Sequence, residues 1–264
     1  MQTKIIDIHQ TGSGAIDAIE NLQKGFQIDA IENLQKDLKQ GNERIDDLQC
    51  GGYHIIQNPK SFCFGIDAVS LANFATIKKG ETALDLGTGT GIIPILLCAK
   101  TEGKHFTGLE IQEESVDMAR RSVEMNGLTH KIKIDLGDIK KGADIYPPNH
   151  FDAITVNPPY ISGGSLNNLG AKAIARHEIA CNLMDVAALS ARLLKTGGRL
   201  YMVHRPHRLT DVLCTLRRTN LEPKTIQFVQ DRPELAPSLV LIEAVDHGKP
   251  MVKVLPTLLL NPET

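Results

Sequence analysis

Four short apolar runs, residues 82–86, 105–111, 131–136 and 151–156, alternate with stretches whose apolar residues recur at helical spacing, residues 92–100 and 112–126. Strands joined by crossover helices lie parallel, and the helices then cover both faces of the sheet. Further strand-like runs at 198–204, about 224–230 and 239–244, with a helical stretch at 183–194, extend the pattern. The prediction is an α/β fold around a seven-stranded, mostly parallel sheet with helices on both faces. The last two strands are joined by residues 231–237, too few for a crossover helix, so they are predicted to form an antiparallel hairpin.

The fourth run ends in Asn157-Pro158-Pro159-Tyr160. Two prolines cannot continue a sheet, so an amide, a rigid backbone and an aromatic ring sit at the carboxyl end of a strand, where open α/β sheets bind ligands. The first run enters Asp85-Leu86-Gly87-Thr88-Gly89-Thr90-Gly91 and then a helix. Such a turn either lets backbone approach a ligand or is simply a tight connection. Its third glycine comes one residue too early for the dinucleotide fingerprint, which disfavours a nicotinamide cofactor. Glu110 ends the second strand about twenty residues on, where a carboxylate can accept both hydroxyls of a ribose. Asp138, followed by Ile139, takes the corresponding place after the third strand.

These motifs, in this order, resemble those of Rossmann-type S-adenosylmethionine-dependent methyltransferases. The resemblance implies a Rossmann-like class I fold with S-adenosylmethionine as cofactor and no metal. Asp85, Gly87, Thr88, Gly89 and Gly91 would face the methionine part, Glu110 the ribose, Asp138 and Ile139 the adenine, and Asn157 the methyl-donor corner. In that family the Asn-Pro-Pro-Tyr tetrapeptide marks enzymes that methylate planar amine nitrogens. The amine's lone pair is delocalised into its ring; acceptors at the Asn157 side chain and the Pro158 carbonyl would take its two hydrogens and turn the lone pair toward the methyl group. Asn157, Pro158 and Tyr160 are the implied catalytic residues, with Tyr160 also stacking on the substrate base.

Residues 55–58 and 62–72 resemble the segment before the glycine motif in bacterial adenine-N6 tRNA methyltransferases, which act next to the anticodon of a valine tRNA. The similarity runs from about residue 44 to 260 and takes in residues 175–178 and 203–206. It implies RNA, and tRNA in particular, as partner, with Arg176, His177 and Arg205 as substrate contacts; Arg205, His207 and Arg208 are otherwise a solvated face. Phe64, Gly65 and Asp67 would lie near the methionine end, although Asp67 equally suits the N-cap of a helix from Ala68. Rival readings are a protein-glutamine N5 methyltransferase, a ribosomal guanine-N2 methyltransferase and, in another class, a non-catalytic cofactor- or RNA-binding module.

Residues 1–42 stand apart from the resemblance. Ile16-Asp17-Ala18-Ile19-Glu20-Asn21-Leu22-Gln23-Lys24 recurs at residues 28–36, and each copy has the spacing of an amphipathic helix. The pair is either a self-association or partner-binding element or a duplication without catalytic role. The predicted organisation is therefore 1–42 as a helical segment, 43–79 as a small cap of strands plus a helix, and 80–264 as the catalytic domain. A net charge of −2 leaves RNA binding to a local basic patch. Five scattered cysteines without a Cys-x-x-Cys pair argue for a reduced protein without a zinc site. No apolar run reaches membrane-spanning length, so the expectation is a cytoplasmic protein without membrane contact.

Overall fold

Parallel strands buried on both faces need apolar side chains pointing both ways, and the strand sequences supply them. Leu84, Leu86, Ile154 and Leu200 point to one side of the sheet, Ala83, Ala153, Tyr201 and Val203 to the other, and all are buried. The computed structural model describes residues 40–60, 64–158 and 182–261. The tandem repeat, Pro159, Tyr160, Arg176 and His177 lie outside the described residues. Those from Asn42 onward belong to one compact unit.

The unit opens with a two-stranded hairpin, β1 (Arg44–Asp47) and β2 (His54–Gln57), followed by α1 (Ile66–Phe74). The main sheet then takes β3 (Thr82–Leu86), β4 (His105–Glu110), β5 (Ile132–Leu136), β6 (Phe151–Val156), β7 (Leu194–His204), β8 (Leu221–Gln230) and β9 (Leu239–Asp246). Its helices are α2 (Ile92–Lys100), α3 (Glu113–Met125), the short α4 (Gly142–Ile145), α5 (Leu183–Leu193) and α6 (Leu209–Arg218). The seven strands lie in the order β8-β9-β7-β6-β3-β4-β5, with β9 antiparallel to both β7 and β8. The expected C-terminal hairpin is present.

The sheet is nine-stranded rather than seven-stranded, because two two-residue strands, β10 (Lys253–Val254) and β11 (Leu258–Leu259), run in succession along the outer edge of β8. Other expectations shift. The apolar stretch 62–65 reads as the second strand of the cap, yet Phe64 and Gly65 are not in a strand. Gly65, not Asp67, is the N-cap of α1; Asp67 lies in the first turn and its Oδ1 accepts the N–H of Ala68 at 2.9 Å. Strand β7 begins at Leu194, directly after α5, instead of at residue 198.

Helices α1, α2 and α3 pack on one face with Ile55 of the hairpin, while α5 and α6 pack on the other. The cap therefore shares the core of the main sheet. Polar bonds along α3 fix it further: Ile56 N–H donates to Ser122 Oγ (2.9 Å), and His54 and Asn126 exchange two bonds (2.9 and 2.7 Å). The Arg121 guanidinium donates to both Glu43 oxygens at 2.7 Å, and both residues are buried. That pairing holds the guanidinium's pKa above its ordinary value.

Candidate active site

Strand β3 pairs with β4 on one side and β6 on the other, so the chain leaving it marks the point where strand order reverses. A crevice opens at such a switch point. The β3–β6 register ends with Leu86 opposite Val156, and the next residues are Gly87 and Asn157. The glycine turn and the Asn157-Pro158 corner thus leave the sheet side by side, and Asn157 and Pro158 are half-buried.

Gly87, Gly89 and Gly91 have φ of +72°, +55° and +88°, in the left-handed region where a side chain is strained. At Gly87 and Gly89 an added Cβ would meet nothing within 4 Å, so the backbone of the turn borders open space. From below, the turn is held by Gly87 and Thr88 N–H bonds to the Leu109 carbonyl (2.9 and 3.1 Å). Gly108 lies under Thr88: an added Cβ would come within 2.7 Å of Thr88 Cγ2, 2.8 Å of its hydroxyl and 2.9 Å of Ile134. Gly108→Ala is therefore expected to lose about 1–3 kcal/mol in chemical denaturation through displacement of the buried Thr88. A change under about 0.5 kcal/mol would show that the turn yields freely.

Glu110 is buried and its carboxylate accepts three backbone N–H bonds: Gly89 on Oε2 (2.9 Å), and Ile111 and Gln112 on Oε1 (3.0 Å each). It ties the glycine turn to the start of α3 and keeps its remaining lone pair for a ligand hydroxyl. Asp138 is half-buried and caps a short 3-10 turn (Ile139–Lys141) through Oδ1 and the Lys140 N–H at 2.9 Å. Ile139 is half-buried beside it.

Asp85 is fully enclosed. Its register partner Thr155 donates a hydroxyl to Oδ1 at 2.7 Å, while Oδ2 has no partner. Burial pushes this carboxyl up to about 7; the Thr155 bond pulls the other way, as does the Thr88 hydroxyl, which lies near without forming a hydrogen bond, and the Glu110 charge adds to the rise. Sequence reading missed Thr155, whose role depends on strand register. It also missed Ile111, Leu136 and Ile145, which stay 46%, 46% and 40% exposed around the ends of β4 and β5. The available signal was apolar residues placed where a strand gives way to a loop.

Arg205 lies just beyond β7, the neighbour of β6, and donates from Nη1 to the Ser238 carbonyl at 3.2 Å. The preceding His204 is buried; its Nδ1 accepts the Arg205 N–H at 2.8 Å, and burial, reinforced by Arg208, pushes its pKa down to about 4, so the ring is neutral at pH 7. Arg208 pairs with Asp211 at 2.8 Å. Among the described residues no three His, Cys, Asp or Glu side chains converge, and no helix is long and apolar enough to cross a membrane.

Residues 77–231, more than half of the chain, match the family described as "Methyltransferase domain". The chain belongs to this methyltransferase domain family. Within it, the chain is 30% identical over 152 residues to a Histophilus somni protein named tRNA1(Val) (adenine(37)-N6)-methyltransferase, an alignment covering 57% of this chain and 64% of that one. It therefore spans a little under two thirds of that relative's length. A protein of the same name from Phocaeicola vulgatus is 26% identical over 178 residues, covering 67% and 74%. In fold, this methyltransferase domain is similar to a crystal structure from Agrobacterium tumefaciens described as a predicted O-methyltransferase, with a TM-score of 0.60 and 18% identity over 74% of this chain and 88% of that one.

Proposed function

We propose that this chain is an S-adenosylmethionine-dependent methyltransferase acting in the cytoplasm on the exocyclic N6 of an adenine in RNA, with tRNA as the substrate. One observation carries the reading: the Leu86–Val156 register sets an open glycine turn beside Asn157-Pro158 at the switch point. The name shared by the two relatives supports the same acceptor.

The residues fit the cofactor. Gly87 and Gly89 offer backbone to its methionine part beside Asp85, whose Oδ2 is unmatched, and near Thr88 and Gly91. Glu110, fixed by three N–H bonds, accepts a ribose hydroxyl on its remaining lone pair. Asp138 and Ile139, with exposed Ile111 and Leu136, receive the adenine. When bound, S-adenosylmethionine supplies an activated methyl group on a sulfonium.

Asn157 Oδ1 and the Pro158 carbonyl then accept the two amine hydrogens, drawing the nitrogen toward a tetrahedral geometry with its lone pair on the methyl. Alignment supplies much of the rate, and the proton leaves after transfer, so no strong base is needed. Tyr160 stacks on the extruded base, a contact of about 1–3 kcal/mol. Arg176, His177 and Arg205 contact RNA phosphates. Self-association through residues 1–42 belongs to the same proposal.

The test is transfer of labelled methyl from S-adenosylmethionine to tRNA lacking N6-methyladenosine, followed by nucleoside analysis. N6-methyladenosine is expected. Label in protein glutamine or in guanine N2, or no label despite cofactor binding, would overturn the adenine reading. Glu110→Ala is expected to weaken cofactor binding about 10–100-fold by calorimetry, since a charge-assisted bond to a ribose hydroxyl is lost together with the carboxylate's hold on the Gly89 N–H. Unaltered affinity would refute the ribose role.

A further inference from the structure

Among the described residues of the site, Asp85 is the carboxylate with a buried oxygen that no hydrogen bond reaches. Glu110 accepts three backbone N–H bonds, whereas Asp85 receives a single bond on Oδ1 and leaves Oδ2 buried without a partner. A fully buried carboxylate is stable only if it is neutralised, either by a proton or by a cation brought to it. Among the described residues, its neighbours supply no cation. On β6 it meets the uncharged Thr155, and the ionisable group acting on it is Glu110 of β4, whose negative charge opposes its ionisation. In the protein without ligand, the proton is the neutralising partner.

Resting on the cofactor reading above, we propose that binding of S-adenosylmethionine is coupled to loss of a proton from Asp85. The O–H bond of the carboxylic acid breaks, the proton passes to solvent, and the cationic methionine end of the cofactor replaces it as counter-charge. Asp85 thereby reads ligand charge, and an otherwise similar neutral ligand does not displace the proton. With the free carboxyl held near 7, half of it is ionised at pH 7. Affinity falls as pH drops through that value, because the proton competes with the cofactor.

The experiment is titration calorimetry of the full chain with S-adenosylmethionine in two buffers of different ionisation enthalpy, repeated from pH 6 to pH 8.5. At pH 7 the wild type is expected to release about half a proton more than Asp85→Asn, and its affinity to fall about tenfold between pH 8 and pH 6 beyond any change in the variant. The cofactor's own amino group titrates in this range, but equally for both proteins, so the difference isolates Asp85. Thr155→Val, which removes the hydroxyl bonded to Oδ1, is expected to move the midpoint of the affinity profile to higher pH. Should Asp85→Asn not fold, this upward movement decides the question. Binding with equal proton counts in wild type and Asp85→Asn, or with an unmoved midpoint in Thr155→Val, overturns the coupling and leaves the cofactor reading standing. No binding at any pH overturns both.

Discussion

Asn157→Ala is expected to reduce methyl transfer by about two to three orders of magnitude, the loss typical when a preorganised hydrogen-bonding group aimed at a transition state is deleted. Cofactor affinity is expected to stay within about threefold, because the glycine turn and Glu110 are fixed by backbone bonds in which Asn157 takes no part. The side chain's assigned work is to accept an amine hydrogen, an interaction that strengthens only as the nitrogen becomes tetrahedral. Its removal should therefore appear in kcat. Single-turnover transfer and calorimetry on one preparation separate the two effects. Unchanged turnover would sink the role of Asn157, and a parallel collapse of cofactor affinity would move it from chemistry to binding.

The second large effect concerns stability. Arg121→Ala is expected to lower the unfolding free energy by about 3–5 kcal/mol, because Glu43 would keep a buried carboxylate after losing a two-pronged partner at 2.7 Å. Asp117, which also accepts from Arg121, is exposed and would simply return to water. Replacing both members, as in Glu43→Leu with Arg121→Met, should recover most of the loss, since the buried ion pair is removed as a unit. Urea denaturation of the three proteins is the measurement. A loss below about 1 kcal/mol for Arg121→Ala would mean that solvent already screens the pair.

The fold was legible where local pattern and global architecture agree. Residues 82–86 and 151–156 are apolar runs between turn signals, and both are strands to the residue. Legibility failed where a local signal pointed the wrong way. Pro223 reads as outside a strand, yet β8 starts at Leu221 and absorbs the proline with a shift of register against β9. The strand read from Gly198 leaves Gly197 outside it, yet β7 begins at Leu194 and runs through both. Helix α6 carries a stripe, Leu209, Val212, Leu213 and Leu216, that the polar stretch ahead of it obscures in the sequence. Strands β10 and β11 are too short for any alternation to register.

In the site, the glycine turn, Glu110 and Asn157 were identifiable because each occupies a strand end. The partnership of Asp85 with Thr155 was not, because residues 70 apart in sequence meet only through the parallel register of β3 and β6. Pattern reveals which residues leave the sheet, but not which buried groups face one another inside it.

The strip from Lys253 to Leu259 bears on how the margin of the sheet resists pairing with foreign strands. Without it, β8 would present ten residues of unpaired backbone along the margin of the sheet, a template for recruiting foreign strands. The strip occupies that margin and makes a poor template in its turn: its strands are two residues each, Pro256 removes a donor between them, and Lys253 places a charge on the outer side. Two strands of two residues each thus close a margin that would otherwise invite amyloid-like pairing.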